Sequence, residues 1–302
     1  NGVNLNTFTG IVPNLYTISI NNISIANSIS FSFLSNIREF SLSGACSYWY
    51  LYDKLYTLTN LERLTLNSSH SFSPQFPNNL LNFSNNQQLE YLFVSLSSST
   101  ASYLPINLAN NLNLKHLELY NYNSNSISLN NNILLENLIL QGSHFTSPIN
   151  LSNNVNLKKL NLYGVTLSTI PSPYSIDLSQ NQLLEEVTIF DYYLNNINFG
   201  NVNTINKLEI LESKLETINL TSFPILNHLN LNSTKDILEI DLNNCHQLDS
   251  VIIKLATTSG NNVYPSNFIK LKNGSTESIV DIEKYNSNLK LCTDENDTTN
   301  NW

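Results

Sequence analysis

Residues 112 to 162 read LNLKHLELYNYNSNSISLNNN (112–132), ILLENLILQGSHFTSPINLSNN (133–154) and VNLKKLNL (155–162). Leu114, Leu135 and Leu157 open equivalent leucine triplets, 21 and 22 residues apart. In each triplet apolar residues hold the first, fourth and sixth places and alternate with polar ones, the period that sends successive side chains to opposite faces of a strand. Self-similarity at so short an interval marks a stack of near-identical coils, each sealed by its neighbours.

Outward from this stretch, triplets begin at Leu15, Ile37, Leu61, Leu89, Leu114, Leu135, Leu157, Leu184, Ile205, Leu226 and Leu248. A second apolar motif precedes the triplet in the same coil: INLANNLNL (106–114), ISLNNNILL (127–135), INLSNNVNL (149–157), IDLSQNQLL (176–184) and IDLNNCHQL (240–248). The spacing predicts a leucine-rich-repeat solenoid, mostly β, of about 12 coils of 20–28 residues, with a parallel sheet on the concave face and little helix. Asn86, Asn111, Asn132, Asn154 and Asn181 recur at one place of the half-coil motif; Cys245 replaces the Asn once, and Val202 and Phe223 break the pattern. A turn buried between coils leaves peptide groups that water cannot reach, so an inward ladder of Asn amides is expected there.

The interval 61–89 carries SFSPQFPNN, the interval 157–184 carries STIPSPY, and ACSYWYLYDKLY lies between 37 and 61. Stacked strands cannot absorb such insertions, which are expected as loops. The repeat domain is expected to span 1–291, with 1–14 as an N-terminal cap and 255–291 as degraded C-terminal coils. Residues 292–302 read as a lead-out to a downstream segment. The chain starts at Asn1 and contains no Met, so we expect a mature or excised piece of a longer precursor.

Charged residues make up 12% of the chain and the net charge is −9, which leaves no basic patch to neutralise phosphates; nucleic acid is not expected as a partner. No apolar run approaches the roughly 20 residues of a membrane span, so direct membrane insertion is not expected either. Cys46, Cys245 and Cys292 form no CxxC pair, and two coils separate the last two by about 10 Å, too far for an easy bridge; free thiols are expected.

The repeat form, together with the closing run IKLKNGSTESIVDIEKYNSNLKLCTDENDTTNNW, resembles the internalin-like leucine-rich-repeat proteins secreted by Bacteroidetes. The residues that carry this likeness are Lys272 to Gly274, Asn286 to Leu289, Cys292, Asp294 with Glu295, and Asn301 with Trp302. The resemblance implies a secreted or cell-surface protein, often followed by adhesive modules and a sorting domain. The first three coils depart from the family pattern.

On each triplet strand the third and fifth places, and the seventh just beyond, point out of the sheet, onto the face where such repeats commonly meet partners. These places hold Tyr91 and Phe93, then His116, Glu118 and Tyr120, then Asn137, Ile139 and Gln141. The next coils give Lys159, Asn161 and Tyr163, then Glu186, Thr188 and Phe190. Tyr91, Phe93, His116, Tyr120, Ile139, Lys159, Tyr163 and Phe190 are therefore the candidate ligand-binding residues, since large rings bury much area against protein or sugar. The competing reading is that these rings only cover one another across strands.

The cluster Tyr48, Trp49, Tyr50, Tyr52 and Tyr56 is a second candidate surface or a local cap. The acidic runs Asp236, Glu239, Asp241 and Asp294, Glu295, Asp297 lack calcium-loop spacing, and the five His residues lack HExxH spacing. No nucleophile or phosphate-loop signature occurs. No cofactor, metal or catalytic residue is expected, and the reading is a non-catalytic extracellular or cell-surface module that binds a protein or glycan and neighbours other modules in its chain. A structural spacer without a ligand of its own is the alternative.

Overall fold

The structure is a computed structural model that describes residues 15–21, 36–44, 55–68, 81–95, 105–124, 126–145, 147–165, 174–191, 193–215, 217–233, 237, 239–255, 267–271, 274, 279–284 and 289–293. The first unit comprises residues 1–154 with 165–168, and the second 155–164 with 169–302. Almost all of the described structure is strand and turn.

Unit 1 contains β1 (Thr17–Asn21), β2 (Glu39–Gly44), β3 (Arg63–Ser68), β4 (Leu81–Asn82), β5 (Tyr91–Ser95), β6 (Ile106–Asn107), β7 (His116–Tyr120), β8 (Asn123–Ser124), β9 (Asn137–Gln141) and β10 (His144–Phe145). The triplet strands pair in parallel in the order β1-β2-β3-β5-β7-β9, in register, so Tyr91 lies beside His116 and His116 beside Asn137. The short pairs β4-β6 and β8-β10 are also parallel; β4 and β6 open half-coils, while β8 and β10 each lie between a triplet strand and the half-coil that follows it.

Unit 2 contains β11 (Lys159–Tyr163), β12 (Tyr174–Asp177), β13 (Glu186–Phe190), β14 (Leu194–Asn198), β15 (Lys207–Ser213), β16 (His228–Ser233), β17 (Glu239–Asp241), β18 (Ser250–Leu255), β19 (Asn267–Leu271), β20 (Ile279–Lys284) and β21 (Leu289–Thr293). Its triplet strands run in parallel as β11-β13-β15-β16-β18-β20, with β12-β14 and β17-β19-β21 on the half-coil side. The register shifts at two places in this unit: between Tyr174 and Ser175 where β12 meets β14, and between Leu211 and Ser213, where Glu212 takes φ of 52° and swings the chain out of the ladder. The parallel-strand solenoid expected from the triplet spacing is the architecture of both units.

The core of each coil is the set of residues the triplet places inward. Leu114, Leu117, Leu119, Leu135, Leu138 and Leu140 are fully buried in unit 1, as are Leu184, Val187, Ile189, Leu226 and Leu229 in unit 2. Each such side chain contributes roughly 1.5–3 kcal/mol of burial, which a single coil could not obtain alone.

Asparagine supplies the polar half of the core. In unit 1 the Nδ2 of Asn111 donates to the carbonyls of Phe83 (3.0 Å) and Asn86 (2.8 Å), Asn132 donates to Leu108 (3.1 Å) and Asn111 (2.8 Å), and Asn154 donates to Leu129 (3.0 Å) and Asn132 (2.9 Å). The expected ladder is there, but it uses the donor end of the amide: the buried Oδ1 atoms of Asn86, Asn111 and Asn132 accept no protein hydrogen bond. The turn N–H groups of Asn111, Leu114, Asn132 and Leu135 are already satisfied three residues back, by the carbonyls of Leu108, Asn111, Leu129 and Asn132, so the inner turn offers only the second lone pairs of those carbonyls, and the amides of Asn132 and Asn154 fill them. In unit 2, where Cys245 stands at the ladder place, its thiol reaches only the Leu220 carbonyl, at 3.7 Å.

Candidate functional site

In unit 1 the register of β5, β7 and β9 sets three outward rows side by side: Tyr91, His116, Asn137; Phe93, Glu118, Ile139; and Ser95, Tyr120, Gln141. The sequence places these side chains on one face because each alternates with an inward leucine or valine. Tyr91 and His116 stack with ring centres 4.8 Å apart, and Phe93 and Tyr120 pack at 5.3 Å. The Arg63 guanidinium lies 4.2 Å from the centre of the Tyr91 ring.

Glu118 ties these rings together. Its Oε1 accepts from the Tyr91 hydroxyl (3.2 Å) and lies 2.6 Å from His116 Nε2, while Oε2 accepts from the Tyr120 hydroxyl (3.1 Å). Burial and then the Glu118 carboxylate push the Tyr91 hydroxyl up to about 12, and the same causes in the same order raise Tyr120. Both tyrosines are thereby held neutral as hydrogen-bond donors. Ile139, the fifth candidate in this unit, lies beside Glu118 and is half-buried.

In unit 2, Tyr163 and Phe190 pack at 4.7 Å, and Tyr163 is 42% exposed. Lys159 pairs with Glu186 at 2.6 Å, which raises the lysine above its ordinary range. Glu209 is the second carboxylate centre: Thr188 donates to its Oε2 at 2.9 Å, Lys207 lies 3.2 Å from Oε2, and His228 lies 3.4 Å from Oε1. Burial pushes the Glu209 carboxyl up, but Thr188, Lys207 and His228 outweigh it and hold the group below the usual carboxylate range.

All eight candidate residues thus face outward, five together in unit 1 and three in unit 2. Glu118, Glu209 and Arg63 were not among them, although an acid at the middle of a strand flanked by aromatic strands was a signal in the sequence for Glu118. Exposed aliphatics at the turns were not among them either: Leu112, Ile133 and Leu134 in unit 1, and Val155 and Leu183 in unit 2. Of the aromatic cluster at 48–56 only Tyr56 lies among the described residues, and it is exposed. Glu239 and Asp241 both meet Lys270, while Asp236, Asp294, Glu295 and Asp297 lie outside the described residues, as do most of the three insertions.

At the strand-entry edge of unit 1, a cavity of about 270 Å³ is lined by Tyr16, Asn36, Arg38, Asn60, Glu62 and Gln88. Its one guanidinium is paired with Glu62 at 3.0 Å. Among the described residues, no three His, Cys, Asp or Glu side chains converge as a metal ion would need, and no helix is long and apolar enough to cross a membrane.

In sequence the chain matches no family model and none of the curated proteins. In structure, the plant peptide hormone receptor RGFR1, in complex with RGF2, is similar over 91% of this chain with a TM-score of 0.58 and 15% identity. A leucine-rich-repeat protein of Leptospira interrogans is similar over 92% of this chain and 73% of its own, with a TM-score of 0.50 and 18% identity. The fold is a leucine-rich-repeat solenoid. An internalin of Listeria monocytogenes, inlF, overlaps more loosely, with a TM-score of 0.44 and 16% identity. This leucine-rich-repeat chain spans about half (48%) of the plant receptor's length.

Proposed function

We propose that this leucine-rich-repeat chain is a non-catalytic binding module, extracellular or at a cell surface, whose partner is a protein held on the triplet-strand face. The observation that carries the reading is the cluster of unit 1 in which Tyr91, Phe93, His116 and Tyr120 are fixed around Glu118 by ring packing and hydrogen bonds while remaining half-exposed. A face meant only to be covered by its own neighbours would not need a carboxylate orienting two hydroxyls among the rings. Rings held in one orientation before the partner arrives lose little freedom on binding, which favours a peptide or protein surface over incidental contact. The plant peptide hormone receptor of the same fold is in complex with RGF2, which agrees with a binding role.

The test uses peptides selected from a random displayed library on the immobilised full chain. Binders are expected to lose at least tenfold in affinity on Phe93→Ser with Tyr120→Ser, or on Tyr163→Ser with Phe190→Ser, with the variants shown folded by circular dichroism. Selected binders that ignore both pairs would refute the strand-face reading and favour a spacer.

A further inference from the structure

The two carboxylate centres differ in one respect. Glu209 has a cation from its own chain, Lys207 at 3.2 Å, whereas among the described residues no lysine or arginine pairs with Glu118. An ionised carboxylate offers about four lone-pair sites. Tyr91 and His116 take two on Oε1 and Tyr120 takes one on Oε2, so one site on Oε2 is left. The side chain, between Phe93 and Ile139 in its row, is 14% exposed.

Any partner that covers this face strips the last water from Glu118. An apolar or acidic covering group leaves the fourth site unfilled and the charge met only by Tyr91, His116 and Tyr120, while an ammonium or guanidinium supplies both a full opposite charge and the missing hydrogen bond. Resting on the strand-face reading above, we propose that β5, β7 and β9 bind a protein segment that presents a lysine or arginine to Glu118 Oε2. Apolar side chains of the segment, on either side of that residue, lie on Phe93, Tyr120 and Ile139. The unit thereby takes from its partner the cation that unit 2 supplies to Glu209 from within.

The test titrates three capped nonapeptides of Ala, Leu and Ser, with Arg, Gln or Glu at the centre, into the full chain while the Tyr120 ring resonances are followed by NMR. The Arg peptide is expected to bind about tenfold more tightly than the Gln peptide, the gap a charged hydrogen bond opens, and the Glu peptide more weakly still. Glu118→Gln should erase the Arg preference. Ile139→Lys, which keeps Glu118 but sets an amino group beside it, should erase it too, so the inference does not depend on one variant folding. Equal affinity for Arg and Gln, or an Arg preference that survives both variants, overturns the inference and leaves the strand-face reading standing. If no peptide moves Tyr120, both fail.

Discussion

Asn131 and Asn132 adjoin in the chain and act in opposite directions. Asn132 points inward to two buried carbonyls, while Asn131 reaches along the surface to the Ala109 carbonyl at 2.9 Å. Asn110 and Asn153 in unit 1, and Asn244 in unit 2, make the same outer bond to the preceding coil. Replacing Asn132 by Ala removes two buried hydrogen bonds, leaves the Leu108 and Asn111 carbonyls with only their backbone donors and opens a small void, and should cost about 2–4 kcal/mol in denaturant unfolding, whereas Asn131→Ala, which loses one exposed bond, should cost under about 1 kcal/mol. Equal losses would mean that the inner ladder is not what joins the coils. The Tyr91–Glu118 pair predicts an alkaline effect. Below the ordinary tyrosine value of 10.0 the Tyr91 hydroxyl is neutral in both folded and unfolded chains, and its contribution to stability is complete; as pH climbs through about 12 that contribution is lost. Glu118→Gln should bring the Tyr91 ionisation down only part of the way in a tyrosine-ring NMR titration, because burial is the larger cause and stays in place.

At the scale of the element, seven half-coils among the described residues open on a turn that one side chain closes. The carboxamide of Asn82, Asn107 and Asn150 in unit 1 accepts the N–H two residues on, and Asp177, Asn198, Asn219 and Asp241 do so in unit 2. Together with the inner and outer ladders this gives asparagine up to three separate places in a coil, all filled in the coils of Asn107, Asn110 and Asn111 and of Asn150, Asn153 and Asn154, which accounts structurally for its abundance. Glycine is needed in only a few turns. Gly200, with φ of 56°, would set a Cβ 2.7 Å from Ser179 Cβ and 3.1 Å from its Cα, whereas at Gly142, with φ of 60°, the nearest atom is the movable Oδ1 of Asn121 at 2.6 Å. Both substitutions by Ala carry the left-handed penalty of about 1 kcal/mol, and Gly200→Ala adds a clash with backbone that cannot swing away. Thermal unfolding should therefore show the larger drop in Tm for Gly200→Ala.

At the scale of the whole molecule, stability is the sum of coils and of the interfaces between them, so local opening is the expected mode of failure. Cys245 is a built-in reporter for unit 2. It is fully buried, and burial followed by the nearby Asp241 pushes its thiol up to about 12, so it is neither accessible nor ionised in the folded unit. In a chain carrying Cys46→Ser and Cys292→Ser, a thiol reagent should label Cys245 only as fast as this unit opens, and Leu229→Ala, which removes a fully buried leucine nearby in the stack, should accelerate labelling. Rapid labelling of the unmodified unit would show that the ladder break at Cys245 leaves the coil open.

Taken by itself, the sequence determined the coil. Apolar spacing of two within strands and of about 21 residues between them dictates which side chains turn inward, and inward burial of Leu117, Leu119, Leu138 and Leu140 then dictates which turn outward. It also placed the inner asparagines, because only a fixed recurrence in every coil could align them. What it could not determine is which outward residues meet. Tyr91 finds His116, and Glu118 gathers both tyrosines, because the length of the intervening loop sets the register between coils, and that register is decided by packing of the whole stack. Likewise, that Glu209 gathers Thr188 from β13 and His228 from β16 depends on how three strands align, a two-dimensional fact that one line of letters does not contain, whereas Lys207, two residues before Glu209 on the same strand, was legible in the sequence.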